Sequence, residues 1–137
     1  MNNLANAYDY QGKYRDAMVL YKQCLDKTKV VLGENHPDTI GTMSSLARTY
    51  DNRGKHRDAE VLYKQCLAKR KVVLGENHPD TLSTMNNLAV SYNRQEKYRE
   101  AKVLLKQCLD KKKEVLGESH PSTIDTMNNL AKVTSKI

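Results

Sequence analysis

Met43-Ser44-Ser45-Leu46-Ala47-Arg48-Thr49-Tyr50, followed beyond Gly54 by Ala59-Glu60-Val61-Leu62-Tyr63-Lys64-Gln65-Cys66-Leu67, is the stretch on which the fold of this chain turns. Met43, Leu46, Ala47 and Tyr50 are spaced by three, four and seven, the pattern of one face of a 3.6-residue helix. Ala59, Leu62, Tyr63, Cys66 and Leu67 repeat that logic. The spacing predicts a first helix near 38–52, a tight turn at Gly54 and a second helix near 55–74 ending in Val73 and Leu74.

Working outward, the same unit recurs at an offset of 42 residues. Met1, Met43, Met85 and Met127 align, as do Leu4, Leu46, Leu88 and Leu130, then Cys24, Cys66 and Cys108, then Pro37, Pro79 and Pro121. The unit is copied three times and begun a fourth, which divides the chain into repeats at 1–36, 37–78 and 79–120 and a capping helix at 121–137. Gly33-Glu34-Asn35-His36-Pro37 and its counterparts read as connectors. Gly75 suits the left-handed position just past a helix end, and Pro79 the first turn of the next helix. One helix pair exposes apolar surface, so stability must come from stacking successive pairs. The reading is all-α, one array over 1–137.

Composition agrees. The chain has 137 residues, 39% of them hydrophobic, with no Trp or Phe, so Leu, Val, Ala, Met and Tyr must build the interior. No apolar run approaches the roughly 20 residues of a membrane span, and Met1 to Tyr10 lacks a secretory signature, which predicts a cytoplasmic protein. The formal net charge is +7, which favours acidic partners through long-range attraction.

Leu46-Ala47-x2-Tyr50 followed by Ala59-x3-Tyr63 resembles the tetratricopeptide signature, with Met43 where tryptophan is usual. The 42-residue unit, its Leu-Gly-x-x-His-Pro phrase and Asn86-Asn87-Leu88-Ala89 resemble the variant of kinesin light chains. This resemblance covers essentially the whole chain. It implies a right-handed α-solenoid of helix-turn-helix repeats whose first helices line a concave groove that binds an extended peptide. Carried over residue by residue, it puts Asn3, Asn87 and Asn129 at the positions that donate to ligand backbone, with Ser45 replacing the amide in the second copy. The groove position two beyond the repeat's leucine holds Asn6, Arg48, Val90 and Lys132, so Arg48 and Lys132 are expected to meet acidic side chains.

Comparison among copies supports the same face. The first two repeats agree through most of both helices yet differ at Asn2 and Ser44, Asn3 and Ser45, Asn6 and Arg48, and Tyr10 and Asn52. These positions fall opposite the packing stripe, as a uniform scaffold presenting a varied inner surface requires. Peptide binding in the groove is therefore the expected function. The alternative is polyanion binding, to nucleic acid or acidic membrane, through the lysines and arginines crowding the second helices, Lys64, Lys69, Arg70, Lys71, Lys106, Lys112 and Lys113 among them. Nucleic acid is the less expected partner, because Tyr8, Tyr50 and Tyr92 occupy packing positions instead of offering stacking faces.

Catalytic and metal chemistry find no support. There is no Gly-x-Ser-x-Gly, no phosphate-cradling Gly-x4-Gly-Lys-Ser/Thr and no His-Glu-x2-His. Equivalent cysteines lie two helix layers apart, roughly 16–20 Å, against about 7 Å for a disulfide. They read as small buried side chains. His36, His78 and His120 read as braces of the connector before proline, and His56, where other copies have Tyr14 and Tyr98, as a packing variant. No enzyme, metal or cofactor is expected. Met1 aligns with a mid-helix position, so the chain is expected to begin mid-array, with an uncapped first repeat that invites end-to-end self-association. Lys132 and Thr134 are expected to make the outer side of the capping helix polar.

Overall fold

The computed structural model describes residues 4–6 and 13–137, and every described regular element is an α-helix. Leu4, Ala5 and Asn6 are helical. Six helices follow: α1 (Tyr14–Val31), α2 (Pro37–Asn52), α3 (His56–Val73), α4 (Pro79–Arg94), α5 (Tyr98–Val115) and α6 (Pro121–Thr134). The first-type helices α2 and α4 have 16 residues and the second-type helices α1, α3 and α5 have 18. The chain forms two compact units, Met1–Lys69 and Arg70–Ile137, whose boundary falls inside α3.

The first-type helices α2, α4 and α6 begin in the same way. Histidine is the N-cap and proline the first helical residue; the imidazole Nδ1 of His36, His78 and His120 accepts the backbone N–H of Asp38, Asp80 and Ser122 at 3.1, 3.0 and 3.0 Å. This satisfies one of the amides a helix start leaves without a partner. The connector is stitched to the same turn, because Thr39 and Thr81 donate to the Gly33 and Gly75 carbonyls, both at 2.8 Å. Those glycines have φ of 97° and 98° and follow the second-type helices, as the left-handed cap predicts. Proline, histidine, threonine and glycine thus act together to set where each first helix starts, and so which residues face inward.

In the first unit, Met18, Tyr21, Leu25, Met43 and Leu46 form a buried cluster against which Tyr50 and Leu62 pack. In the second, Ala89, Ala101, Leu105 and Val133 are buried together, with Tyr92 and Leu130 packed alongside. The cysteines are free and buried, as expected of small apolar side chains; Cys66 and Cys108 Sγ donate to the Ile40 and Leu82 carbonyls at 3.8 and 3.3 Å.

Three expectations need amendment. Lys112 and Arg70, counted above among the cations of a polyanion-binding surface, are engaged within the fold: Lys112 is buried and its Nζ donates to Thr126 Oγ1 at 2.8 Å and the Ser122 carbonyl at 3.3 Å. Arg70 donates to Thr84 Oγ1 at 2.7 Å. Both tie the end of a second-type helix to the following first-type helix. The outer side of α6 is not uniformly polar either, because Ile124 and Met127 are each 43% exposed. His56, read as a packing variant, bonds Asp51 Oδ1 through Nδ1 at 2.8 Å.

The α4–α5 turn places Glu96 at φ 62°, where the aligned position of the α2–α3 turn has Gly54 at 89°. The turns are otherwise alike, Lys97 N–H reaching the Tyr92 carbonyl at 2.9 Å and Lys55 N–H the Tyr50 carbonyl at 2.8 Å. An L-residue in this region carries a clash between Cβ and carbonyl that glycine lacks. Glu96→Gly is therefore expected to stabilise the second unit by about 0.5–1 kcal/mol, measured as a rise in urea midpoint without a change in slope.

Candidate functional site

The buried stripe of α2 is Ile40, Met43, Leu46 and Ala47, and that of α4 is Leu82, Met85, Leu88 and Ala89. Helical spacing turns the expected groove residues to the other side. Ser45 and Asn87 are half-buried there, while Arg48 is exposed. Asn3 lies outside the described residues, as do Asn2, Tyr8 and Tyr10.

In the first unit the structure joins two expected residues through a third that sequence reasoning missed. The buried Tyr21 hydroxyl donates to Asn6 Oδ1 and accepts from Arg48 Nη2 at 3.4 Å. Tyr21 thereby spans from the first-type helix of repeat 1 to that of repeat 2. The signal was present in the sequence: positions 21 and 63 are tyrosine and the aligned position 105 is leucine.

In the second unit Asn129 and Lys132 on α6 come together with Val90, Asn93 and Arg94 on α4 around a cavity of about 220 Å³ floored by Leu105. No carboxylate lines it. Asn129 is held in place by donating Nδ2 to Asn86 Oδ1 at 3.2 Å, an acceptor it shares with Thr126 Oγ1 at 3.4 Å. Asn87 does not line this cavity. Lys132 is exposed, and its ammonium has no polar partner among the described residues. The wall thus offers amide donors and two cations over an aliphatic base, a surface suited to binding an anionic group and lacking a nucleophile with an adjacent base.

A larger cavity of about 390 Å³ lies between α4 and α5 over Leu88, Tyr92, Val103 and Leu104, away from the expected groove residues. Among the described residues no three His, Cys, Asp or Glu side chains gather to hold a metal, and no helix is long and apolar enough to cross a membrane. Among the described residues, Cys108 and Lys112 have displaced titrations. Burial pushes the Cys108 thiol up, and burial likewise pushes the Lys112 ammonium below its ordinary 10.5, each partly offset by the other's charge.

The sequence model of the Tetratricopeptide repeat family matches this chain three times, over residues 1–38, 39–80 and 81–122. Among solved structures the chain is similar to a putative kinesin light chain of Podosopora anserina with nearly identical TPR-like repeats. The TM-score is 0.90 at 27% identity, over 98% of this chain and 64% of that one. A substituted form of that protein gives a TM-score of 0.91 at the same identity and coverage. BtubC (BKLC) from P. vanneervenii shares the fold, with a TM-score of 0.81 at 23% identity over 96% of this chain and 52% of that one. A stretch of 44 residues, 32% of this chain, is 50% identical to a nucleotide-binding leucine-rich repeat (NLR)-like protein of Hyaloscypha variabilis, of which it spans 4%. The chain therefore spans less than two thirds of each of these proteins.

Proposed function

Because the chain belongs to the tetratricopeptide repeat family, we propose that this all-α solenoid of three repeats and a further helix, a protein-interaction scaffold, holds an extended acidic peptide against its first-type helices. Asn3, Asn6, Ser45, Asn87 and Asn129 serve the ligand backbone, and Arg48 and Lys132 its carboxylates. The observation that carries this reading is the inward wall of the second unit, where Lys132 and Arg94 meet Asn93 and Asn129 with no carboxylate among them. Complementary charge steers an acidic ligand toward such a wall. The scaffold acts by binding without catalysis, in the cytoplasm.

The test is fluorescence anisotropy with a labelled oligo-glutamate peptide and its glutamine counterpart. Arg48→Glu is expected to weaken the glutamate peptide about tenfold, as reversing an interface charge does, and Asn87→Ala to weaken both peptides alike by a few-fold. If neither substitution changes affinity, the groove reading is wrong. Polyanion binding by the second-type helices is the competing outcome. It would show as a steep linear fall of log affinity with log salt, and as sensitivity to charge reversal at the exposed Lys106 and Lys113 in place of Arg48.

A further inference from the structure

Position 105 differs from its two aligned counterparts in a way that changes the inner wall. Tyr21 and Tyr63 are buried, at 0% and 2% exposure, and Leu105 at 1%. In the first unit the Tyr21 hydroxyl lies between Asn6 and Arg48 and bonds both. In the second, leucine stops short, Val90 stands where Asn6 stood, and Lys132 stands where Arg48 stood with no phenol to bond. Over the shorter leucine lies the cavity of about 220 Å³, several times the roughly 30 Å³ share of one liquid water.

We propose that the tyrosine-to-leucine difference at position 105 makes a specificity pocket in the second unit, which takes one glutamate side chain of the bound peptide. This rests on the groove reading above. The two methylenes of glutamate lie against Leu105, Val90 and Val133, and the carboxylate is held by Lys132 Nζ and the Asn93 amide, with Arg94 at the rim. The occupant is anionic because the Lys132 ammonium and the Asn93 and Asn129 amides line the pocket and no carboxylate is among its lining residues. It has an aliphatic stem because the floor is apolar, and burying a bare charged head there without one would leave that floor wet. In the first unit the Tyr21 hydroxyl sits beside Arg48, where the ligand carboxylate would sit beside Lys132 in the second, so the pocket sets where along the array an acidic residue of the peptide must fall.

Leu105→Tyr is the decisive variant, because tyrosine is the residue of the other two copies and the scaffold already accommodates it. With the labelled oligo-glutamate peptide, Leu105→Tyr and Lys132→Gln are each expected to weaken binding about tenfold, while the glutamine peptide loses nothing. The Leu105 and Val133 methyl resonances of the unsubstituted protein should shift on titration with the glutamate peptide. A phosphoserine peptide, with one methylene fewer, should bind more weakly than the glutamate peptide; tighter binding would overturn the assignment of glutamate. Affinity within twofold of the parent in both variants, with silent methyl resonances, overturns the pocket. If that happens while Arg48→Glu still weakens binding, the groove reading survives without it. Loss in Leu105→Tyr with indifference to Arg48→Glu and Asn87→Ala keeps the pocket and removes the extended groove. Should Leu105→Tyr fail to fold, Lys132→Gln at the exposed rim and the methyl shifts decide.

Discussion

Leu82→Ala is expected to cost the second unit about 3 kcal/mol, whereas Ile124→Ala, at the aligned position of the next first-type helix, costs about 1 kcal/mol or less. Leu82 is fully buried, and its own carbonyl receives the Cys108 thiol. Truncation there removes the transfer free energy of three carbons and leaves a void that flanking helices cannot close, since their ends are fixed by the histidine caps and the threonine stitches. Ile124 occupies the same point of the pattern but is 43% exposed, so much of its side chain is already in water and truncation opens no enclosed space. Urea unfolding, with hydrogen exchange of the α4 and α5 amides to report on this unit in particular, measures both. Equal costs at the two positions would mean that the face of α6 carrying Ile124 is covered in solution.

Lys112 is expected to leave a pH signature of definite sign. Burial holds its ammonium below the ordinary 10.5 in the folded protein, so over the window just below 10.5 the unfolded chain binds more protons than the folded one. Stability contributed through this group therefore rises with pH across that window and levels off above it. Cys108 works in the opposite direction: its thiol is pushed up from 9.0 by burial, so its contribution is complete below 9.0 and declines as pH rises. The comparison is therefore made in a Cys108→Ala background, Lys112 against Lys112→Met, by urea unfolding from pH 7 to pH 11. At pH 7 the methionine variant loses two charge-assisted hydrogen bonds, to Thr126 Oγ1 and the Ser122 carbonyl, worth about 1.5–3 kcal/mol each when made by a charged donor, against relief of the buried charge. On raising the pH, the parent should gain stability relative to the variant. A flat difference would show that the ammonium is solvated, and a falling one that its bonds to Thr126 Oγ1 and the Ser122 carbonyl outweigh burial.

The local rules of this fold were legible without coordinates. The 42-residue offset, the helical spacing of Met43, Leu46, Ala47 and Tyr50, glycine beyond each second helix and His-Pro at each first helix are all short-range statements. Backbone sterics and capping decide them within a few residues. For the same reason the outward turn of Ser45, Arg48 and Asn87 away from the buried stripe followed from periodicity.

What periodicity could not supply is which equivalent positions remain equivalent once helices pack. Positions 40, 82 and 124 look the same in the sequence, yet Ile40 and Leu82 are buried and Ile124 is not, because burial depends on the helix lying across a residue and not on the residue. Lys112 and Arg70 sit in lysine-rich runs that read as a surface for polyanions, but each reaches a threonine 14 residues further along the chain. The bonds from Tyr21 to both Asn6 and Arg48, and the cavity that Leu105 lines, join residues from separate helices. Such contacts are set by side-chain length and interhelical spacing together, and only the tertiary structure brings both to one point.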